Sequence, residues 1–318
     1  MNRILVYRAI GLGDFLTAVP ALRAVARAFP TAEVCLAGPA PLAPLAPLTG
    51  AVGTFLPTGE LAPPPWSGPP PALAVNLHGR GPQSHRLLQA LGPRRLVAFA
   101  NADAGVPGPR WRPDEHEVAR WCRLLEESGI PAEPGELDLA VPAAPPPVRA
   151  ATVVHPGAAA PGRRWPVDRF AALAAQLCAR GHSVVVTGVP SEVPAARAVA
   201  VRAGLADECV LAGRLDLAEM AALIADARLV VCGDTGVGHL ATAYRTPSVL
   251  LFGPMPPALW GPPAGRREHR VLWHGELAGL PAVDGQAHPA VLAIPVEEVL
   301  AAAGEVERTG PPGVRPPR

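Results

Sequence analysis

The residues best suited to chemistry fall in four short runs, each following a candidate strand. In Arg8–Leu16 the order G-L-G-D begins like a dinucleotide fingerprint. The third glycine position is Leu16, however, and no acidic residue closes a second strand on schedule, which argues against hydride transfer. Gly11 and Gly13 make a tight turn that leaves Asp14 at a helix start. There it either caps the helix or stands as a carboxylate on a cleft floor, able to accept a proton. The second run, Leu229–Leu240, leads a buried strand through Gly233, Asp234, Thr235 and Gly236 into a helix. Backbone N–H groups of Gly236, Val237 and Gly238 would point out of that helix start, where the dipole favours an anion, and Thr235 adds a hydroxyl. His239, one turn in, reads as a packed or capping side chain more readily than as a catalyst. The third run, His155–Pro166, places a small-residue loop with Gly157 before the paired Arg163 and Arg164. Forked guanidinium donors of fixed charge suit a diphosphate; a solvated surface pair is the alternative. In the fourth, Thr187–Glu192, the Glu192 carboxylate either accepts ribose hydroxyls or complements a helix dipole.

Composition removes other chemistries. All 28 basic residues are Arg, so a Walker A loop, a pyridoxal Schiff base and a lysine base are absent; GC-rich codon usage accounts for that bias. A net charge of +1 with 17% charged residues lacks the basic face of a nucleic-acid binder. Five dispersed cysteines, with no C-x-x-C pair, form neither a disulfide framework nor a zinc site and fit a reducing compartment. There is no H-E-x-x-H, no G-x-S-x-G and no D-x-D. The apolar run after Arg3 is shorter than the ~7–15 residues of a signal peptide core. No stretch reaches the ~18 apolar residues of a membrane span. A cytoplasmic protein without a transmembrane segment is expected.

Positioning the four runs takes alternating strands and helices, the pattern of βαβ units with parallel sheets. Strands are expected at Arg3–Tyr7, Glu33–Ala37, Leu73–Leu77 and Arg95–Phe99, with helices at Phe15–Phe29, Ser84–Leu91 and Glu115–Ser128. The proline-rich Val141–Val148 reads as a semi-rigid spacer, and Pro57–Pro71 as a surface loop. Beyond the spacer, strands are expected at Thr152–His155, Ser183–Thr187, Cys209–Leu211, Leu229–Cys232 and Ser248–Phe252. The matching helices are Asp168–Arg180, Val193–Ala203, Leu217–Ala225, Val237–Tyr244 and Val296–Ala303. The expected organisation is a domain over residues 1–145, a second over 150–304 and a disordered tail over 305–318. Two doubly wound domains of this kind bind ligands at the carboxyl ends of their sheets, in a cleft between them.

Taken together, these runs form one pattern. Arg8–Pro30 resembles the N-terminal motif of the ADP-heptose:lipopolysaccharide heptosyltransferases, glycosyltransferase family 9, and so does Gly233–Ala243 with Thr246–Pro262. The His155–Pro166 and Leu211–Ile224 segments lie between them in the family's order. The resemblance implies a GT-B arrangement of two facing Rossmann-like domains, with acceptor on the first and nucleotide sugar on the second. It implies inverting transfer without a metal or other cofactor. Carried over by position, Asp14 would deprotonate the acceptor hydroxyl, with Gly11, Gly13 and Arg80 on the acceptor side. Gly157, Arg163, Arg164, Glu192, Asp234, Thr235, Gly236 and His239 would hold the donor, Arg163 standing where the family usually has a phosphate-binding lysine.

This chain departs from the pattern in several places. The family's phosphate loop often carries hydroxyls, whereas here it reads Ala158, Ala159, Ala160. Arg80, Arg86, Arg110 and Arg112 either form a basic acceptor surface or are merely solvated. The acceptor is therefore expected to be a lipopolysaccharide core, with peripheral membrane contact if it is a lipid, or a small natural-product scaffold such as an aminocyclitol. The competing readings are a sugar-nucleotide epimerase or hydrolase, and a non-catalytic nucleotide-sugar binding protein, on the same fold.

Overall fold

The computed structural model describes residues 2–309. The chain divides into two compact units, one ending at Ala140 and the next beginning at Val141. The division falls at the start of the proline-rich spacer, where successive prolines remove ladder donors and prevent regular structure.

The first unit holds a five-stranded parallel sheet in the order β3-β2-β1-β4-β5. Its strands are β1 (Arg3–Tyr7), β2 (Glu33–Gly38), β3 (Thr54–Pro57), β4 (Leu73–Asn76) and β5 (Leu96–Val97). Its helices are α1 (Leu12–Thr17), α2 (Val19–Ala28), α3 (Gln83–Gln89) and α4 (Glu117–Glu126). Four successive residues of β1, Ile4 to Tyr7, are buried, as a parallel strand covered on both faces requires. Chain order reverses between β1 and β4, the switch point at which α/β sheets open a crevice at their carboxyl edge. Arg8 and the turn to Asp14 leave β1 at that point.

The second unit repeats the plan in the order β10-β9-β8-β6-β7. Its strands are β6 (Thr152–His155), β7 (Val184–Val186), β8 (Leu229–Gly233), β9 (Ser248–Leu251) and β10 (His269–Leu272). Its helices are α5 (Val167–Ala179), α6 (Val193–Ala203), α7 (Leu217–Asp226), α8 (Gly236–Tyr244), α9 (Pro257–Trp260), α10 (Pro289–Leu292) and α11 (Val296–Thr309). Trp165 anchors the core: its indole meets Phe170 edge-on, with ring centroids 4.9 Å apart. Its Nε1 donates to the Ile294 carbonyl at 3.0 Å. The switch point lies between β6 and β8, where His155 is in register with Cys232. The loops that leave these two strands carry Gly157, Arg163 and Asp234, so residues far apart in sequence emerge side by side.

Several expected elements differ. The helix expected at Phe15–Phe29 is two helices meeting at Ala18, whose φ of −90° and ψ of −6° break the first before Pro20 enters the opening turn of the second. The strand expected at Cys209–Leu211 is a 3-10 turn, Asp207–Cys209, followed by one bridge from Val210 to Val186. The strand expected at Arg95–Phe99 shortens to two residues. Two edge strands, β3 and β10, were not expected. The disorder expected over residues 305–318 does not hold for the first of them, because α11 continues to Thr309, with Val306 buried and Glu307 paired to Arg228 at 2.6 Å; residues 310–318 lie outside the described residues. No helix among the described residues is long and apolar enough to cross a membrane.

Candidate functional site

In the second unit the candidate residues converge. Asp234 follows β8, is buried, and pairs through Oδ2 with Arg163 Nη1 at 3.2 Å. Burial pushes its carboxyl above the ordinary carboxylate range, and the Arg163 cation pulls it back. Thr235 is the N-cap of α8, with extended backbone, but its side chain makes no capping bond. The Gly238 N–H donates to the Thr235 carbonyl at 3.1 Å, which withdraws one of the three outward donors expected here. The N–H groups of Gly236 and Val237 remain in the opening turn without an intrahelical acceptor. Beside them lies a depression lined by Asp234, Thr235, Gly238, His239, Phe252 and Trp260, among others. The His239 ring meets Trp260 edge-on, with centroids 5.9 Å apart.

The paired arginines diverge. Arg163 turns to Asp234 with its side chain 36% exposed, leaving it reachable by an anion. Arg164 is exposed, and its Nε braces the loop by donating to the Ala158 carbonyl at 2.9 Å. Glu192 ends a 3-10 turn and precedes α6, but it is held inward, its Oε2 accepting from Val189 N–H at 2.9 Å. The same oxygen lies 3.9 Å from His155 Nε2. His155 Nδ1 sits 3.0 Å from Thr187 Oγ1, and burial lowers the imidazole pKa. Gly157 completes this group by close approach: a Cβ there would overlap all three atoms of the Glu192 carboxylate.

The first unit builds a second cluster at the end of β1. The N-cap of α1 is Gly11, and Asp14 lies inside the first turn without capping it, which corrects the capping alternative. Its Oδ1 instead accepts from Arg8 Nη2 at 3.1 Å. Arg8 is 1% exposed. Its Nε donates to the Asp14 carbonyl at 2.9 Å, its Nη1 to the Leu77 carbonyl, and its Nη2 to Glu117 Oε1 at 2.9 Å. Trp121 Nε1 donates to the same Glu117 oxygen at 2.8 Å, and Arg120 pairs with Oε2. His78, packed against Tyr7 with centroids 5.1 Å apart, is lowered to about 4 by burial and by the Arg8 charge.

Sequence reasoning missed Arg8 and Glu117 as candidates. A buried arginine directly after a strand was visible, but its partner lies 109 positions away. Arg80, Arg86, Arg110 and Arg112 are exposed. Arg86 donates to the Asp103 carbonyl at 2.8 Å, and Arg112 lies 3.9 Å from Glu127. Gly11 is not held by steric need, since an added Cβ would meet Asp14 at an ordinary 3.7 Å.

Comparison with known proteins gives a consistent picture. Residues 109–280, more than half of the chain, match the family described as glycosyltransferase family 9 (heptosyltransferase). The match includes Arg163, Glu192 and Asp234 to His239 but leaves Asp14 outside. Lipooligosaccharide heptosyltransferase 2 of Haemophilus influenzae is 32% identical over 151 residues, covering 46% of this chain and 44% of that protein. Lipopolysaccharide heptosyltransferase 1 of Pseudomonas aeruginosa is 42% identical over 99 residues, covering 31% of this chain and 27% of that one. The alignments thus span less than half the length of either relative. The structure of Escherichia coli ADP-heptose LPS heptosyltransferase II superimposes with a TM-score of 0.78 at 21% identity, over 97% of this chain and 99% of that one. This shows a shared fold of two Rossmann-like domains.

Proposed function

Since the chain belongs to glycosyltransferase family 9, the heptosyltransferase family, we propose that it transfers a sugar, heptose from ADP-heptose, to a hydroxyl of a lipopolysaccharide-core acceptor. One observation carries this reading. Arg163, Asp234 and the opening turn of α8 meet at the carboxyl ends of adjacent strands, inside the family-matched segment. A guanidinium and unsatisfied helix N–H groups suit the two phosphates of a nucleotide sugar. Asp234 offers a carboxylate that can accept sugar hydroxyls. Glu192, beside Gly157 and the neutral His155, supplies the carboxylate for the nucleoside.

Glycosyl transfer passes through an oxocarbenium-like state. The acceptor oxygen bonds to the anomeric carbon as the bond to the diphosphate oxygen breaks, and the anomeric configuration inverts. The proton lost by the acceptor hydroxyl goes to Asp14, acting as general base. The charge that develops on the departing ADP is stabilised by Arg163 and the α8 turn, so the reading requires no metal ion.

The test is a panel of ADP-, GDP- and UDP-sugars offered with a heptose-free lipid A core fragment or with aminocyclitol acceptors, products being identified by mass. Acceptor-dependent release of ADP from ADP-heptose, in the presence of a chelator, supports the reading. Donor turnover without acceptor would indicate an epimerase or hydrolase, and nucleotide binding without turnover a binding protein. Asp14→Asn should remove transfer while ADP still binds. Near-normal turnover by that variant would sink the assignment of the base.

A further inference from the structure

The cluster behind Asp14 goes beyond that assignment. Arg8 grips one residue twice, through its backbone carbonyl at 2.9 Å and its side-chain Oδ1 at 3.1 Å. The same guanidinium reaches the Leu77 carbonyl beyond β4 and Glu117 in α4, and its Cζ lies 4.7 Å from the Trp121 ring. One planar fork therefore ties together the ends of β1 and β4 and the starts of α1 and α4. The Asp14 side chain is 26% exposed while that of Arg8 is 1% exposed, so solvent reaches the carboxylate but not its anchor. Glu117 is itself fixed, taking Trp121 on one oxygen and Arg120 on the other. Arg120 in turn donates to the carbonyls of Arg112, Pro113 and Glu115, the segment leading into α4.

We propose that Arg8 is a positioning residue for the Asp14 carboxylate, and that Glu117 holds Arg8 in the orientation this requires. The proposal rests on the reading of Asp14 as the base. Ordinary packing has no use for this arrangement, because a buried cation costs desolvation that an apolar side chain would avoid. What the fork supplies is direction: a guanidinium presents its donors in a fixed plane, whereas an ammonium is a point charge on a flexible stem. With Nε on the Asp14 carbonyl and Nη2 on its carboxylate, the χ angles of Asp14 are set relative to the sheet rather than by the short helix that bears it.

The experiment measures kcat, donor KM and thermal midpoint for Arg8→Lys and Glu117→Gln in the full chain, with Asp14→Asn as reference, using ADP-heptose and the core acceptor. Lysine keeps the charge but cannot make these contacts together. Arg8→Lys is expected to lower kcat on the order of 10²-fold, the effect of misplacing a reacting group by about 1 Å, with donor KM within about twofold. Glu117→Gln keeps size but removes the carboxylate shared by two buried arginines, which lowers the thermal midpoint; it loosens the hold on Arg8 and is expected to lower kcat about tenfold, again without a change in KM. A purely structural role would instead lower the thermal midpoint and raise KM with kcat little changed, and that pattern overturns the proposal. So does Arg8→Lys or Glu117→Gln turnover within about threefold of the parent while Asp14→Asn is inactive. Substantial turnover by Asp14→Asn overturns the underlying reading itself, and the proposal with it.

Discussion

Replacing Gly157 with alanine tests the donor half of the candidate site without touching a charged group. The new methyl would overlap the Glu192 carboxylate, which must then swing away. Swinging costs the Val189 N–H···Oε2 bond of 2.9 Å and the 3.9 Å approach to His155. A hydrogen bond to a charged group contributes about 1.5–3 kcal/mol, and an overpacked core typically costs about 1–3 kcal/mol. Gly157→Ala should therefore destabilise by about 2 kcal/mol in urea denaturation. If Glu192 holds the nucleoside, ADP affinity measured by calorimetry should fall by roughly 10- to 100-fold. A double-mutant cycle separates the clash from any other effect. In a Glu192→Ala background no carboxylate remains to collide with, so the added Gly157→Ala change should cost under about 0.5 kcal/mol, a coupling of about 1–2 kcal/mol. Additive costs, or a silent Gly157→Ala, would refute the reasoning.

Two further outcomes follow from the charges. Arg163→Ala should weaken ADP binding by roughly tenfold or more, and it removes the cation that opposes burial at Asp234. That carboxyl then rises further above its unfolded value, so the native state favours the protonated form. The variant's stability deficit should grow as pH rises from about 4 towards the folded pKa, and an equal deficit at about pH 3 and about pH 8 would count against the ion pair. His269, bonded at 2.8 Å to Ser248 and lowered to about 4 by burial and nearby arginines, has the opposite sign. Its neutral form is native, so stability is full above about pH 6.5 and falls on acidification, by about 2 kcal/mol between pH 6.5 and 5. His269→Gln should flatten that slope in urea titrations, and an unchanged slope would show that another group is responsible.

Much of the scaffold was legible because burial writes itself into local pattern. The β-branched runs at Arg3–Tyr7 and Thr152–His155 and the helix Val193–Ala203 have the bounds their composition implied. Edge elements left weaker marks. Thr54–Pro57 adjoins a proline-rich stretch, and His269–Leu272 mixes charge with apolar residues, so neither shows the continuous apolar run of a central strand. The site was legible as separate runs but not as pairs. Nothing local tells Arg163 to seek Asp234 rather than solvent, or Arg8 to reach Glu117. Those partnerships depend on strand order, and only the placement of β6 beside β8 and of β1 beside β4 creates them.

The lateral margins of the two sheets have a consequence for how this chain behaves in a crowded solution. Exposed backbone at a sheet margin is an invitation to cross-β growth. Here β3 terminates in Pro57, β5 is two residues long, and beyond β7 there is one bridge at Val210. The remaining margin, β10, carries Arg270, bound to Glu305 of α11 at 2.9 Å. Each border is thus too short, too charged or too poor in donors to template another molecule. Among the described residues, self-association is thus left to side-chain surfaces rather than to pairing at these sheet margins.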